Sequence, residues 1–175
     1  MAEANAIKKI LFKLHQEIKK ENAEVVAELL QQIPIDHQIT DSGMTALALA
    51  CSQTQNHSVI LAIDNYGPNP NAADLMGRTP LHHAAITSNI ACIDYLTRFN
   101  QQNPNILQID ALTRGRETPL MFAVRSGNND VVIKILELKA NPFILNGMGQ
   151  SATNLAFIYN PFLVDTLQNA VFQWT

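Results

Sequence analysis

A short phrase returns four times along this chain and limits what it can fold into. It reads Gly43-Met44-Thr45-Ala46-Leu47, Gly77-Arg78-Thr79-Pro80-Leu81, Arg116-Glu117-Thr118-Pro119-Leu120 and, in weaker form, Gly149-Gln150-Ser151-Ala152-Thr153. The Thr or Ser in the third slot recurs at intervals of 34, 39 and 33 residues. A period in that range marks stacked repeats, each too small to bury its own apolar face and each covered by its neighbours.

Every full period also encodes two helices. In the second, Thr79 is placed to cap a helix beginning at Pro80, where the missing N–H costs nothing, and Leu81, Ala84 and Ala85 share one face. After Ser88-Asn89, read as a break and cap, Ile90, Ile93, Tyr95, Leu96 and Phe99 form a second apolar stripe. The third period repeats this with Leu120, Ala123 and Val124, a turn at Gly127-Asn128-Asn129, then Val131, Val132, Ile135, Leu136 and Leu138. A short inner and an outer helix per repeat make the chain all-α.

The run Asp74-Leu75-Met76-Gly77-Arg78-Thr79-Pro80-Leu81-His82-His83-Ala84-Ala85 resembles the opening phrase of the ankyrin repeat. Asp130 to Leu136, followed by Lys139-Ala140-Asn141-Pro142, resembles its closing half, and Tyr66 to Asp74 the hairpin that links repeats. The resemblance covers roughly residues 20 to 170. It implies an ankyrin-repeat solenoid of stacked helix-turn-helix pairs linked by β-hairpin-like loops, forming one domain over residues 1–175. Its parts are an N-terminal capping helix pair at 1–38, repeats at 40–73, 74–112 and 113–145, and a degenerate C-terminal capping repeat at 146–175. Ala46 and Ala48 depart from the family's Pro and His, Arg116 stands where the tight turn wants Gly, and Thr153 and Asn154 replace Leu and His. An insertion at about 100–113 lengthens one interval and is read as a surface feature. Asn160-Pro161 is expected to cap and open a last helix carrying Phe162, Leu163, Val164, Leu167 and Val171.

Before the first phrase, Ile7, Ile10, Leu11, Leu14 and Ile18 mark one amphipathic helix, and Val25, Val26, Leu29, Leu30 and Ile33 another. Lys8, Lys9, Lys13, Lys19 and Lys20 give this end a basic run. Glu17, Glu21, Glu24 and Glu28 interleave with it, which favours the solvated outer face of a terminal cap over a nucleic-acid or membrane contact.

A net charge of −3 and a pI near 5.9 argue against general nucleic-acid binding, and 47% hydrophobic content supports a continuous core. Cys51 and Cys92 each fall in an apolar stripe and are expected as buried free thiols, which suits the cytosol or nucleus. No charged apolar leader and no run of about 18 apolar residues appears, so conventional secretion and a membrane span are not expected. The apolar ending, through Phe172 and Trp174, either folds back onto the terminal cap or joins a longer protein.

No metal spacing links His15, His37, His57, His82 and His83, and no nucleophile elbow, phosphate loop or dinucleotide fingerprint is present. No enzyme activity, metal or cofactor is expected. The resemblance makes His82 a tie between its own turn and the next hairpin. It also implies a binding groove lined by hairpin tips and inner helices, which places Met44, Leu75, Met76, Arg78, Arg114, Glu117 and Met148 at tips and His83, Ile86, Phe122, Arg125 and Tyr159 along the helices. Met and apolar residues framed by Arg suit a protein or peptide bearing apolar and acidic residues. The plainer alternative has the Met residues packing between hairpins and the Arg residues pairing with Asp110 or Glu117. Two functions follow: a non-catalytic interaction module, as an adaptor or host-directed effector, or the substrate-recognition domain of a larger enzyme such as an ubiquitin ligase, kinase or transferase. Asn71 lies in a hairpin resembling those hydroxylated in some ankyrin proteins.

Overall fold

The recurring Thr or Ser starts a helix because it supplies the acceptor that a first turn lacks. Thr45 Oγ1 accepts from the Ala48 N–H, Thr118 Oγ1 from Met121 and Ser151 Oγ from Asn154. In the computed structural model, which describes residues 2–169, these caps open three of ten helices. The ten are α1 (Ala2–Lys19), α2 (Ala23–Leu30), α3 (Ala46–Gln53), α4 (His57–Asp64), α5 (Pro80–Thr87), α6 (Ile90–Gln102), α7 (Pro119–Ser126), α8 (Asn129–Glu137), α9 (Ala152–Tyr159) and α10 (Val164–Asn169). Among the described residues there is no β-strand.

Consecutive helices pack as pairs and the pairs stack. The inner row runs α1, α3, α5, α7, α9, and the outer row runs α2, α4, α6, α8. Fully buried Ala46, Ala48, Ala50, Ala84, Ala85, Ala123, Ala152 and Ala156 keep the inner helices slim enough to approach closely. Leu47, Leu81 and Leu120 fill the same slot of successive repeats, with Ile60, Ile63, Ile93, Leu96 and Ile135 behind them in the outer row. Four outer helices are capped by Asn22, Asn56, Asn89 and Asn128, whose side-chain oxygens accept from first-turn N–H groups. Asn89 is also buried and donates to the Cys51 carbonyl at 3.0 Å, which ties one repeat to the next.

Hairpins join the pairs on one side of the stack and are linked by a backbone ladder. Leu75 N–H donates to the Ser42 carbonyl, Arg114 to Met76 and Gly147 to Gly115, each at 2.9 Å. At the second slot before each cap the chain turns left-handed, with φ of 83° at Gly43, 80° at Gly77 and 73° at Gly149. Arg116 takes the same conformation at 59°, so the slot that departs in sequence keeps its backbone.

One expectation needs correction and two need refining. Cys51 in α3 and Cys92 in α6 are not separate thiols: they are joined as a disulfide, with Cα atoms 5.4 Å apart, inside the usual range for the bond. The inner helix of one repeat meets the outer helix of the next there, a contact that a separation of 41 residues conceals. The thiol argument for a reducing compartment falls with it. The lengthened interval is not simply surface: it extends α6 to Gln102 and then docks, burying Leu107. Asn71 clamps it, donating to the Ile106 carbonyl and accepting from the Gln108 N–H, both at 2.8 Å. Finally, Asn160 and Pro161 stand at the cap and first position as expected, but of a 3-10 turn that leads into the last helix, and the Asn160 side chain makes no cap bond. Its amide donates to Asn129 Oδ1 at 2.7 Å, and Pro161–Leu163 form a single 3-10 turn before α10. Val171, Phe172 and Trp174 lie outside the described residues.

Candidate partner-binding face

The second hairpin is organised around one buried carboxylate. Asp74 Oδ1 accepts from the N–H groups of Met76 at 2.8 Å and Arg78 at 2.9 Å, while Oδ2 accepts from Arg78 Nε at 2.8 Å and lies 3.2 Å from His83 Nε2. Burial pushes the Asp74 carboxyl up, but the hydrogen bonds from Arg78 and Met76 outweigh it and hold the group below the usual carboxylate range. The polar atoms of this turn are therefore directed inward, and its two apolar side chains project outward: Leu75 is 49% exposed and Met76 52%.

The third hairpin is joined to the inner helices by stacked side chains. His82 Nδ1 accepts from the Thr79 N–H at 3.1 Å, which leaves Nε2–H to donate to the Glu117 carbonyl at 3.0 Å. That is the tie between turn and next hairpin implied by the family resemblance. The Phe122 ring stands edge-on to His82 with centroids 5.8 Å apart, and the Arg125 guanidinium lies 4.8 Å above Phe122 while pairing with Glu117 Oε1 at 2.6 Å. Burial pushes both His82 and His83 down to about 4, so each is neutral at pH 7.

The twelve sequence candidates thus divide. Leu75, Met76, Ile86, Arg114, Met148 and Tyr159 are exposed, Met148 by 74%. Phe122, Arg125 and Glu117 form one half-buried cluster beside them, and Met44 is half-buried against the core. Arg78 is half-buried and committed to Asp74. His83 corrects the expectation that it faces the groove: only 4% exposed, it is turned onto Asp74 and presents nothing to a partner. The pairing alternative holds for Arg125 with Glu117, whereas Asp110 instead accepts from the Asn141 N–H.

Sequence reasoning missed Phe12, a 69% exposed aromatic on α1 beside the first hairpin. Its spacing from Lys8, His15 and Lys19 was the available signal, since the four fall on one stripe of α1. Among the described residues no three His, Cys, Asp or Glu side chains converge as a metal site, and no helix is long and apolar enough to cross a membrane.

The family model described as ankyrin repeats (3 copies) matches residues 14–108 and 57–146. The human transient receptor potential cation channel subfamily A member 1 is 28% identical over 127 residues, 71% of this chain but 11% of that protein. The tyrosine-protein kinase HTK16 of Hydra vulgaris is 26% identical over 160 residues, 87% of this chain and 20% of the kinase. Zebrafish neurogenic locus notch homolog protein 1 is 27% identical over 140 residues, 79% of this chain and 6% of that protein. The chain therefore spans only a fifth or less of these relatives. With its phrase at the repeat period, its paired helices and its hairpin ladder, the chain belongs to the ankyrin-repeat family.

Proposed function

We propose that this chain is a non-catalytic adaptor module that holds a protein or peptide against the Leu75–Met76 hairpin and the neighbouring inner-helix face. Ankyrin repeats generally serve protein–protein interaction, and the family is typically non-catalytic. The observation that carries the reading is the second hairpin itself, where a wholly buried Asp74 consumes the polar groups and leaves Leu75 and Met76 outward. Adjacent exposed apolar side chains of this kind mark interaction sites. Exposed Arg114, whose N–H is fixed to the Met76 carbonyl, supplies a cation next to them, which suits a partner with acidic as well as apolar residues. A comparative pull-down tests it. The unaltered chain should retain a protein that a Met76→Glu, Arg114→Glu variant loses, while the variant's melting shows a stability change of no more than about 0.5 kcal/mol. Equal capture by both would overturn the reading.

The second reading, a recognition segment within a larger enzyme, is favoured by the match to a fifth of a tyrosine kinase. Coding sequence that runs past Thr175 into a catalytic domain would support it, and a stop codon there would support the adaptor.

A further inference from the structure

The chain has two cysteines, and they meet across one interface of the stack. Cys51 is the sixth residue after the inner-helix cap Thr45, the slot that Ala85 fills after Thr79 and Val124 after Thr118. Cys92 is the third after the outer-helix cap Asn89, the slot of Val59 after Asn56 and Val131 after Asn128. All six side chains are wholly buried. The repeat therefore asks only for a small apolar group in either slot, and the α5–α6 and α7–α8 pairs stack with Ala85 and Val131 there and no covalent link. Free cysteines pack as small apolar side chains, so the fold accommodates the pair reduced as well as joined.

The bond spans the interface between the α3–α4 and α5–α6 pairs, and polar ties cross the same interface. Thr87 Oγ1 and Asn89 Nδ2 each donate to the Cys51 carbonyl at 3.0 Å, and Leu75 N–H donates to the Ser42 carbonyl at 2.9 Å. Stacked repeats contact only their neighbours, so one interface can open locally while the others stay closed. A cross-link between residues 41 apart in sequence holds the two pairs together through such openings. The chain between the cysteines carries α4, the Leu75–Met76 hairpin and α5. The later interface, bridged by Gly147 N–H and the Gly115 carbonyl, lies outside this loop.

We propose that the Cys51–Cys92 bond is a reversible redox latch, which fixes the α3–α4 pair to the α5–α6 pair when closed and lets that interface open when reduced. Both sulfurs are wholly buried, so thiol–disulfide exchange reaches them only through the opening that the latch controls. Closing needs a small-molecule disulfide as oxidant. One cysteine thiolate attacks it and releases one thiol, and the second thiolate then displaces the other thiol from the mixed disulfide. The cysteines lose two protons and two electrons, and the oxidant leaves as two thiols. Two reduced small-molecule thiols reverse the step and leave as a disulfide. The latch is internal to the fold and stands whether or not the Leu75–Met76 hairpin binds a partner.

The test equilibrates the full chain with oxidised or reduced glutathione, and alkylation followed by intact mass reads whether the cysteines are joined or free. Hydrogen exchange is then followed at the ladder amides. Exchange at the Leu75 N–H should be about tenfold or more slower in the oxidised chain, while the Gly147 N–H changes by less than about twofold. A Cys51→Ala, Cys92→Val chain, given the side chains that Ala85 and Val131 place in those slots, should exchange like the reduced chain in either buffer. Free thiols after oxidation, equal Leu75 rates in the two forms, or slowing at Gly147 as large as at Leu75 would overturn the latch. A reduced chain without a cooperative melt would overturn it as well, because the bond would then be a condition of folding and not a switch.

Discussion

The second and fourth hairpins share a backbone and differ in how they complete it. Each closes with the same bond, Asp74 N–H to the Arg78 carbonyl and Asn146 N–H to the Gln150 carbonyl, both at 2.9 Å. In each, one side-chain oxygen accepts two turn N–H groups, from Met76 and Arg78 or from Met148 and Gln150. The remaining polar atom separates them. Asp74 Oδ2 meets Arg78 and His83, whereas Gln150 and Leu155 stand in the matching slots beside Asn146, whose Nδ2 is buried without a partner among the described residues. The turn needs only a short side chain with an oxygen, as the hydroxyls of Thr40 and Thr113 in the same slot confirm by accepting from Met44 and Glu117. What the second hairpin adds is a buried charge network joining turn to inner helix. The contrast teaches that repeat geometry is set by a few backbone bonds, while stability and pH response are set by what surrounds them.

Acidification should break the comparison most strongly. His82 and His83 are held neutral with values near 4 against 6.5 when unfolded, so their stabilising contribution is complete above about pH 6.5 and is lost as pH falls toward 4. The fourth repeat has Asn154 and Leu155 in those slots and does not titrate there. Chemical denaturation at pH 7 and pH 5 should show a loss on the order of 3 kcal/mol. A His82→Gln, His83→Gln chain should show most of that slope removed, and an unchanged slope would mean other groups carry it.

Asp74→Asn converts the second hairpin to the chemistry of the fourth. The turn N–H bonds survive, but half-buried Arg78 Nε loses its charged partner, and the expected cost is about 2 kcal/mol at pH 7. Denaturant titration measures it, and a cost under about 0.5 kcal/mol would show the network to be ornamental.

Much of this was legible in the sequence because repeats print their geometry several times over. Thr79-Pro80-Leu81 and its kin announced the caps, the inner helices and the Leu slot, and Ser88-Asn89 announced the outer cap, because those features depend on neighbours within a few residues. The outward turn of Leu75 and Met76 also follows from tip position. What escaped depended on contacts between repeats. The Cys51–Cys92 bond and the Asn71 clamp on the insertion each join residues more than 30 apart, and no local spacing encodes them. His83 escaped for a subtler reason: its helical slot is right for a groove, but Asp74, nine residues earlier, pulls the ring inward.

The terminal repeat can also be moved toward the others. Thr153 occupies the slot of Leu47, Leu81 and Leu120, and its buried hydroxyl has no partner among the described residues. Thr153→Val keeps the shape and removes that hydroxyl, so it should stabilise by about 1 kcal/mol in denaturant titration. A loss would instead reveal that the hydroxyl is satisfied in solution.

The smallest effect is expected at the third hairpin, where the left-handed slot holds Arg116 instead of glycine. A side chain there costs roughly 1 to 2 kcal/mol of backbone strain, and glycine returns part of that as unfolded-state entropy. Arg116→Gly should therefore raise stability by about 0.5 kcal/mol. The reverse change, Gly77→Arg, should lose more than its mirror gains, because a Cβ at Gly77 would lie 3.1 Å from Thr113 Cα and 3.2 Å from Arg114 N, inside the ladder. At the third hairpin Gly147 lies against the residue before Arg116, where a Cβ on Gly147 would stand 3.1 Å from the Gly115 carbonyl oxygen. The two changes together separate torsional strain from crowding. Equal and opposite effects would mean that only the dihedral matters, and a larger loss at Gly77 would show that crowding against the Thr113–Arg114 backbone adds to it.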